Sequence, residues 1–242
     1  MRVLAVTHGP SVRPELFADV IDEEGHDLVE WDIRLQGPPP DGFDAVFVFG
    51  GDQNVGEEVE HPWLHDEYRA LQRLVEQGTP LFCVCLGAQT LAHATGGVAE
   101  PIGETIAGFV ETELTEDGAT DPVLGALPRR FESFNVNGFR FTPPPGAVTL
   151  ATGPVTQAFR LGPHAWGTQF HPEVRRDQAV EWLREDPTVT RPLAELVAEL
   201  DEKLPTWQEQ GRALCRAFLA AAENQRSMGR SSWRDHSCHE PG

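Results

Sequence analysis

The order of apolar and polar positions along the chain reads as strands alternating with helices. Arg2–Thr7 is a short apolar run, and 14–24 follows with Leu16, Phe17, Val20 and Ile21 at helical spacing. Residues 27–31 and 45–50 are again strand-like. Over 66–77, Tyr68, Leu71, Leu74 and Val75 recur with a helical period until Gly78 stops it. Residues 80–84 read as a buried strand and 86–95 as the next helix. Such alternation predicts a parallel sheet covered by helices on both faces.

The middle of the chain changes character. Residues 109–114, 131–136, 148–152, 157–161 and 165–169 are short strands between Gly/Pro turns, with no long helix among them, which predicts an antiparallel extension of the sheet. Helical patterns return after Pro172. Leu193, Leu196, Val197 and Leu200 form one apolar stripe, and Trp207, Leu214 and Phe218 another. Apolar residues thin out from Asn224, so one α/β domain is placed over 1–223 and a disordered tail over 224–242. No internal repeat is visible.

Composition narrows the function classes. With 242 residues, 40% apolar and 24% charged, the chain is globular rather than disordered. No apolar run reaches the ~18–20 residues that span a bilayer, so no membrane association is expected. The N-terminal residues lack the apolar core and small-residue cleavage site of an export signal. Four cysteines make no disulfide framework. These points together lead to an expected cytoplasmic location. The formal charge is −19, from 38 acidic and 19 basic residues, and Lys203 is the only lysine. A surface so acidic repels phosphate backbones, so nucleic acid is not expected as a partner.

Three segments carry candidate chemistry. In Cys83-Val84-Cys85-Leu86-Gly87-Ala88-Gln89 an apolar strand runs into a nucleophilic side chain, then into small residues and a helix. This is the cysteine counterpart of the nucleophile elbow, a sharp turn that lifts the nucleophile above the sheet edge. The positive end of the helix favours a thiolate there. The Leu86 N–H is free to meet a developing oxyanion, and Gly87 is required because a side chain would crowd the turn. A buried structural cysteine would also fit the segment taken alone. In Gln169-Phe170-His171-Pro172-Glu173, extended backbone puts His171 and Glu173 on one side, so Glu173 can orient the imidazole while its other nitrogen faces Cys85. A plain turn would also explain that segment. In Val46-Phe47-Val48-Phe49-Gly50-Gly51-Asp52 a strand ends in two glycines, where backbone can approach a ligand and the Gly51 N–H can be a second oxyanion donor. No phosphate-binding or dinucleotide glycine pattern occurs, so no nucleotide cofactor is expected.

Taken together, in this order and spacing, the three segments resemble the class I (triad) glutamine amidotransferases, over about residues 2–218. Within the family the chain is similar to stand-alone relatives of the amidotransferase domain of GMP synthetase, an impression to which Pro62-Trp63-Leu64 and the long C-terminal helical region contribute. The resemblance implies a three-layer α/β sandwich with a mostly parallel, flavodoxin-like central sheet and an antiparallel extension. It also implies roles. Cys85 would form a γ-glutamyl thioester, His171 would move protons, and Glu173 would orient His171. Gly51 and Leu86 would hold the oxyanion, and Gly50, Gln89, Gly138 and Phe139 would contact the substrate. That substrate is glutamine or a γ-glutamyl compound, and a synthase partner would accept the ammonia. No cofactor and no metal are implied.

Two departures qualify the match. Asn137 and Phe139 stand where many members have His and Asp, which argues against GMP synthetase activity and leaves an altered donor open. Cys83 stands where the elbow usually has Gly and reads as a small buried residue. The Ser-Gly-Gly-Val-Asp motif of a fused ATP-pyrophosphatase is absent. Two further readings remain: a γ-glutamyl hydrolase or peptidase, and a non-catalytic glutamine-binding regulator. His236, Cys238 and His239 resemble metal ligands but lie in the polar tail with no second cluster. Cys215 is expected in the core. His61, His65 and His93 read as surface or helix residues.

Overall fold

A computed structural model describes residues 1–234, with side chains described through Met228. The first half alternates β1 (Arg2–Thr7), α1 (Leu16–Glu23), β2 (Asp27–Asp32), α2 (Ile33–Gln36), β3 (Ala45–Val48), α3 (Trp63–Gln77), β4 (Leu81–Val84) and α4 (Leu86–Ala94). The middle holds β5 (Val98–Leu114), α5 (Glu116–Thr120), β6 (Arg130–Thr142), β7 (Val148–Thr152), β8 (Thr156–Leu161) and β9 (Ala165–Thr168). Two helices close the chain, α6 (Arg176–Glu185) and α7 (Leu193–Arg234).

The strands form one nine-stranded sheet in the order β2-β1-β3-β4-β9-β8-β7-β5-β6. Pairing is parallel from β2 to β9 and antiparallel from β9 to β6. The expected architecture, a mostly parallel sheet with an antiparallel extension, is the one observed. β3 and β4 are buried at every position, because helices cover both faces and the alternation seen in half-solvated strands disappears. Phe82 and Val84 face one layer, with Phe17, Phe47 and Phe218 of the α1 and α7 side. Leu81 and Cys83 face the other, with Leu64, Leu71 and Leu91 of α3 and α4. The rings of Phe17, Phe47, Phe82 and Phe218 meet at centroid distances from 4.8 to 6.1 Å, mostly edge to face.

Three elements outrun their sequence patterns. β5 begins at Val98 rather than 109, and β6 continues to Thr142 rather than 136. The added arm pairs Val98 with Thr142 and Ile106 with Asn137, and its register breaks between Pro101 and Ile106. Pro101, Gly103 and half-exposed polar positions erase the period of two there, so backbone pairing, with the Arg140–Glu100 ion pair across it, defines the arm. At the other end, α7 does not stop at Asn224. Gln225 donates to the carbonyl of Gly78, and Arg226 pairs with Asp44 at 3.0 Å, so polar contacts carry a helix whose apolar stripe has ended. His236, Cys238 and His239 lie outside the described residues. Among the described residues no helix is long and apolar enough to cross a membrane.

Because β1, β3, β4 and β9 run parallel, their carboxyl ends emerge at one edge of the sheet. His8, Gly50-Gly51, Cys85 and 169–173 follow those ends directly. Ligand sites of parallel sheets form at such an edge.

Candidate active site

Cys85 sits between β4 and α4 with φ 51° and ψ −110°, one of two non-glycine residues at positive φ among those described. That conformation costs about 1–3 kcal/mol and persists only where the surroundings enforce it. The Cys85 N–H donates to the Thr168 carbonyl at 2.7 Å, and the Gln89 N–H donates to the Cys85 carbonyl at 2.9 Å. The Gly87 N–H donates to the Phe49 carbonyl at 3.1 Å. A Cβ on Gly87 would lie 2.3 Å from the Val48 carbonyl oxygen, so this turn of helix approaches β3 only as glycine.

His171 and Glu173 leave β9 on a loop braced from two sides. The His171 N–H donates to the Phe134 carbonyl at 2.9 Å, and the Trp207 indole donates to the His171 carbonyl at 2.9 Å. Glu173, fully buried, receives the Nδ1 proton of His171 at 2.8 Å. The imidazole packs against Trp182 at 4.7 Å between centroids. Gly50 fills the space beside it: a Cβ there would be 3.0 Å from His171 Cε1 and 3.5 Å from Cys85 Cβ. Cysteine, imidazole and carboxylate therefore converge, with Nε2 the ring nitrogen left for the sulfur. Burial is the largest influence on His171 and opposes its charge. Glu173 and Cys85 outweigh it through charge and hydrogen bonding, and the pKa is pushed up to about 10. Gln169, which sequence reasoning left without a role, brings its amide nitrogen to 3.6 Å from the Cys85 sulfur.

Gly51, Cys85, Leu86, Gln89, Gly138 and Phe139 line one cavity of about 740 Å³, with His171 and Asn137. Gly50 sits behind it. The Gln89 amide donates to the Phe139 carbonyl at 3.3 Å, and the Asn137 amide donates to the same oxygen at 2.9 Å. Gln89 thus braces the 138–139 backbone, while the buried Asn137 Oδ1 has no hydrogen-bond partner among the described residues. Asp52, Glu104, Glu185 and Asp186 stand on the wall, and among the described residues no lysine or arginine does. Glu104 belongs to the break in the β5 arm, which no local pattern placed over the cavity.

A second buried cluster lies beneath the glycines. His8 Nδ1 is 2.8 Å from the Gly50 carbonyl oxygen, and its Nε2 meets Glu67. Thr90 Oγ1 donates to the other Glu67 oxygen at 2.6 Å. Sequence reasoning passed over both His8 and Glu67, although a signal existed. Glu67 falls in the helical stripe of Leu64, Tyr68, Leu71 and Leu74, where the period calls for an apolar residue. Cys83 and Cys215 are buried in the core, while His65 and His93 are exposed and His61 is half-buried. Among the described residues no group of three or more His, Cys, Asp or Glu side chains is placed to hold a metal ion.

Comparison with known proteins bears on this site. The family model described as glutamine amidotransferase class-I matches residues 24–186. The chain is 30% identical over 184 residues to a glutamine-hydrolysing GMP synthase subunit of Ignicoccus hospitalis, covering 74% of this chain and 92% of that relative. It is 35% identical over 103 residues to the glutamine-hydrolysing GMP synthase of Thermomicrobium roseum, covering 42% of this chain but 19% of that longer protein. Among solved structures, a glutamine amidotransferase from Thermotoga maritima superposes with a TM-score of 0.80 at 22% identity, over 90% of this chain and 98% of its own. One from Methylobacillus flagellatus gives 0.81 at 21%, over 91% and 94%. At such identities the two superpositions speak for the fold.

Proposed function

Since this chain belongs to the class-I glutamine amidotransferase family and is related to the glutamine-hydrolysing subunit of GMP synthase, we propose that it hydrolyses the side-chain amide of glutamine through a thioester on Cys85. The observation that carries this reading is the convergence at His171: Glu173 on Nδ1 at 2.8 Å, and Cys85 so near the ring that a Cβ on Gly50 would meet both.

The steps follow from those positions. The Cys85 thiolate attacks the amide carbon, and the carbonyl oxygen takes up negative charge between the N–H groups of Gly51 and Leu86. His171 gives its Nε2 proton to the amide nitrogen, the C–N bond breaks, and ammonia leaves. The γ-glutamyl thioester remains. Neutral His171 then takes a proton from water as its oxygen attacks the thioester. Collapse of that intermediate releases glutamate and restores the thiolate and imidazolium. Glu173 keeps Nδ1 protonated throughout, so that Nε2 is the nitrogen that exchanges. Gly138 and Phe139 hold the substrate through backbone, braced by Gln89 and Asn137, while Gly50, behind the cavity, leaves room for His171 and Cys85. The ammonia passes to a synthase partner, as the naming of the Ignicoccus relative as one subunit of a synthase suggests for that protein.

A second reading has its own support. A cavity of about 740 Å³ falls in the range that encloses drug-sized ligands, with room for a γ-glutamyl compound larger than glutamine. Asn137 and Phe139, in place of His and Asp, fit an altered donor as well. The deciding experiment measures ammonia release from glutamine by the purified chain and by Cys85→Ala. Wild type should turn over and the variant should not, with its melting temperature nearly unchanged. An alanine variant as fast as wild type would overturn the mechanism. Amine release from γ-glutamyl amides, with none from glutamine, would select the second reading. Glutamine binding without turnover would select a regulator.

A further inference from the structure

We propose that His8 and Glu67 are positioning residues that lock the Gly50–Gly51 peptide, so that the Gly51 N–H rather than the Gly50 carbonyl faces the reacting carbon. The inference rests on the glutamine-hydrolysis reading above and deepens it. Two glycines in succession leave the intervening peptide free to rotate, since neither carries a Cβ to restrict it. The two orientations have opposite chemistry. One offers a donor to the oxyanion, and the other turns a carbonyl dipole of the wrong sign toward it.

The structure holds one orientation from below. A carbonyl only accepts, so His8 Nδ1 bears the proton that reaches the Gly50 oxygen at 2.8 Å. No peptide bond among the described residues is cis, and in a planar trans peptide the C=O and the following N–H point in opposite directions. Tying the Gly50 carbonyl to buried His8 therefore aims the Gly51 N–H away from His8, to the side where Gly51 lines the cavity. That N–H has no hydrogen-bond acceptor among the described residues.

The clamp is itself held. Glu67 fixes Nε2 of His8, and the Trp63 ring stacks on the imidazole at 5.1 Å and 23°. A Cβ on Gly51 would come within 2.8 Å of His8 Cβ and 2.9 Å of Leu86 Cδ2. Glu67 also takes the Thr90 hydroxyl, and Thr90 lies one turn along α4 from Leu86. One carboxylate thus ties together the elements that carry both oxyanion donors. Stability is weak grounds for this arrangement, because buried polar pairs replaced by well-packed apolar residues often leave a fold as stable or more so.

Two isosteric substitutions separate the contacts. His8→Asn puts an amide nitrogen near the place of Nδ1 and keeps the donor to Gly50. His8→Gln puts one near Nε2 and keeps only the Glu67 side. Glutaminase kcat of His8→Gln should fall about 10²–10³-fold, the cost of one oxyanion donor, with KM little changed. His8→Asn should recover most of that loss. Alkylation of Cys85 by iodoacetamide forms no oxyanion and should proceed at the wild-type rate in both. Equal kcat losses in the two variants, no loss in His8→Gln, or alkylation falling in step with kcat would each overturn the proposal. Should wild type fail to hydrolyse glutamine, the reading above falls, and a crystal structure of His8→Gln still decides this one. A Gly50 carbonyl turned toward Cys85 supports the lock, and an unmoved one refutes it.

Discussion

At the scale of single residues, the site depends on groups that burial alone would silence. His171 is buried and would lose its proton there, but Glu173 and Cys85 hold it charged. Its folded pKa therefore lies above the value of about 6.5 for an unfolded chain. The stability this contributes is complete below pH 6.5 and disappears as pH rises through about 10. Denaturant unfolding of wild type and His171→Gln should show it: the difference between them shrinks from pH 7 to pH 10, by at most ~1.4 kcal/mol per pH unit. A constant difference would mean that His171 stays neutral. The two elbow cysteines should part in the same way. Cys83 points into the core against α3 and α4, where burial pushes its thiol well above the ordinary range. Iodoacetamide should therefore label the native peptide spanning both residues once, at Cys85, as read by mass spectrometry.

At the scale of elements, the site is held by close approaches of backbone. α7 supports the loop 171–174 through the Trp207 indole on the His171 carbonyl and the Gln208 amide on the Val174 carbonyl. A Cβ at Gly211 would lie 2.0 Å from the Pro172 carbonyl oxygen. Gly→Ala inside a helix ordinarily stabilises by about 1 kcal/mol. Here the sign reverses, because either α7 or the loop must move. Gly211→Ala should lower stability by roughly 1–3 kcal/mol and lower kcat as well, since the displaced loop carries His171. A thermal melt paired with an ammonia assay reads both. An unchanged melt would mean that α7 slides without cost. At this scale the sequence was legible where period and burial agree, as in β1, β3, β4 and α3. It was not legible in the β5 arm, where Pro101, Gly103 and polar positions leave no period and pairing to β6 organises the strand.

For the molecule as a whole, charge is the dominant feature. Several surface arginines, Arg212 and Arg175 among them half-buried, tie elements together: Arg212 and Arg216 to Glu23, Arg175 to Asp19 and Arg176 to Asp201. Such exposed pairs are worth little each. With 38 acidic residues against 19 basic, self-repulsion outweighs them. The melting temperature should accordingly rise as sodium chloride goes from low to moderate concentration, where the Debye length shortens to about 10 Å at 0.1 M. A fall would mean that the ion pairs, not the repulsion, dominate.

Local order along the chain determined the fold class and the three segments that bear the candidate triad. A strand end, a turn and a helix start are each written in consecutive residues, and parallel strands deliver their carboxyl ends to one edge whatever joins them. Tertiary structure alone decided the rest. His8 and Glu67 are 59 residues apart, and Gln89 reaches Phe139 from another element. The polarity of a side chain says that it needs a partner once buried, and only packing supplies the partner and the burial together.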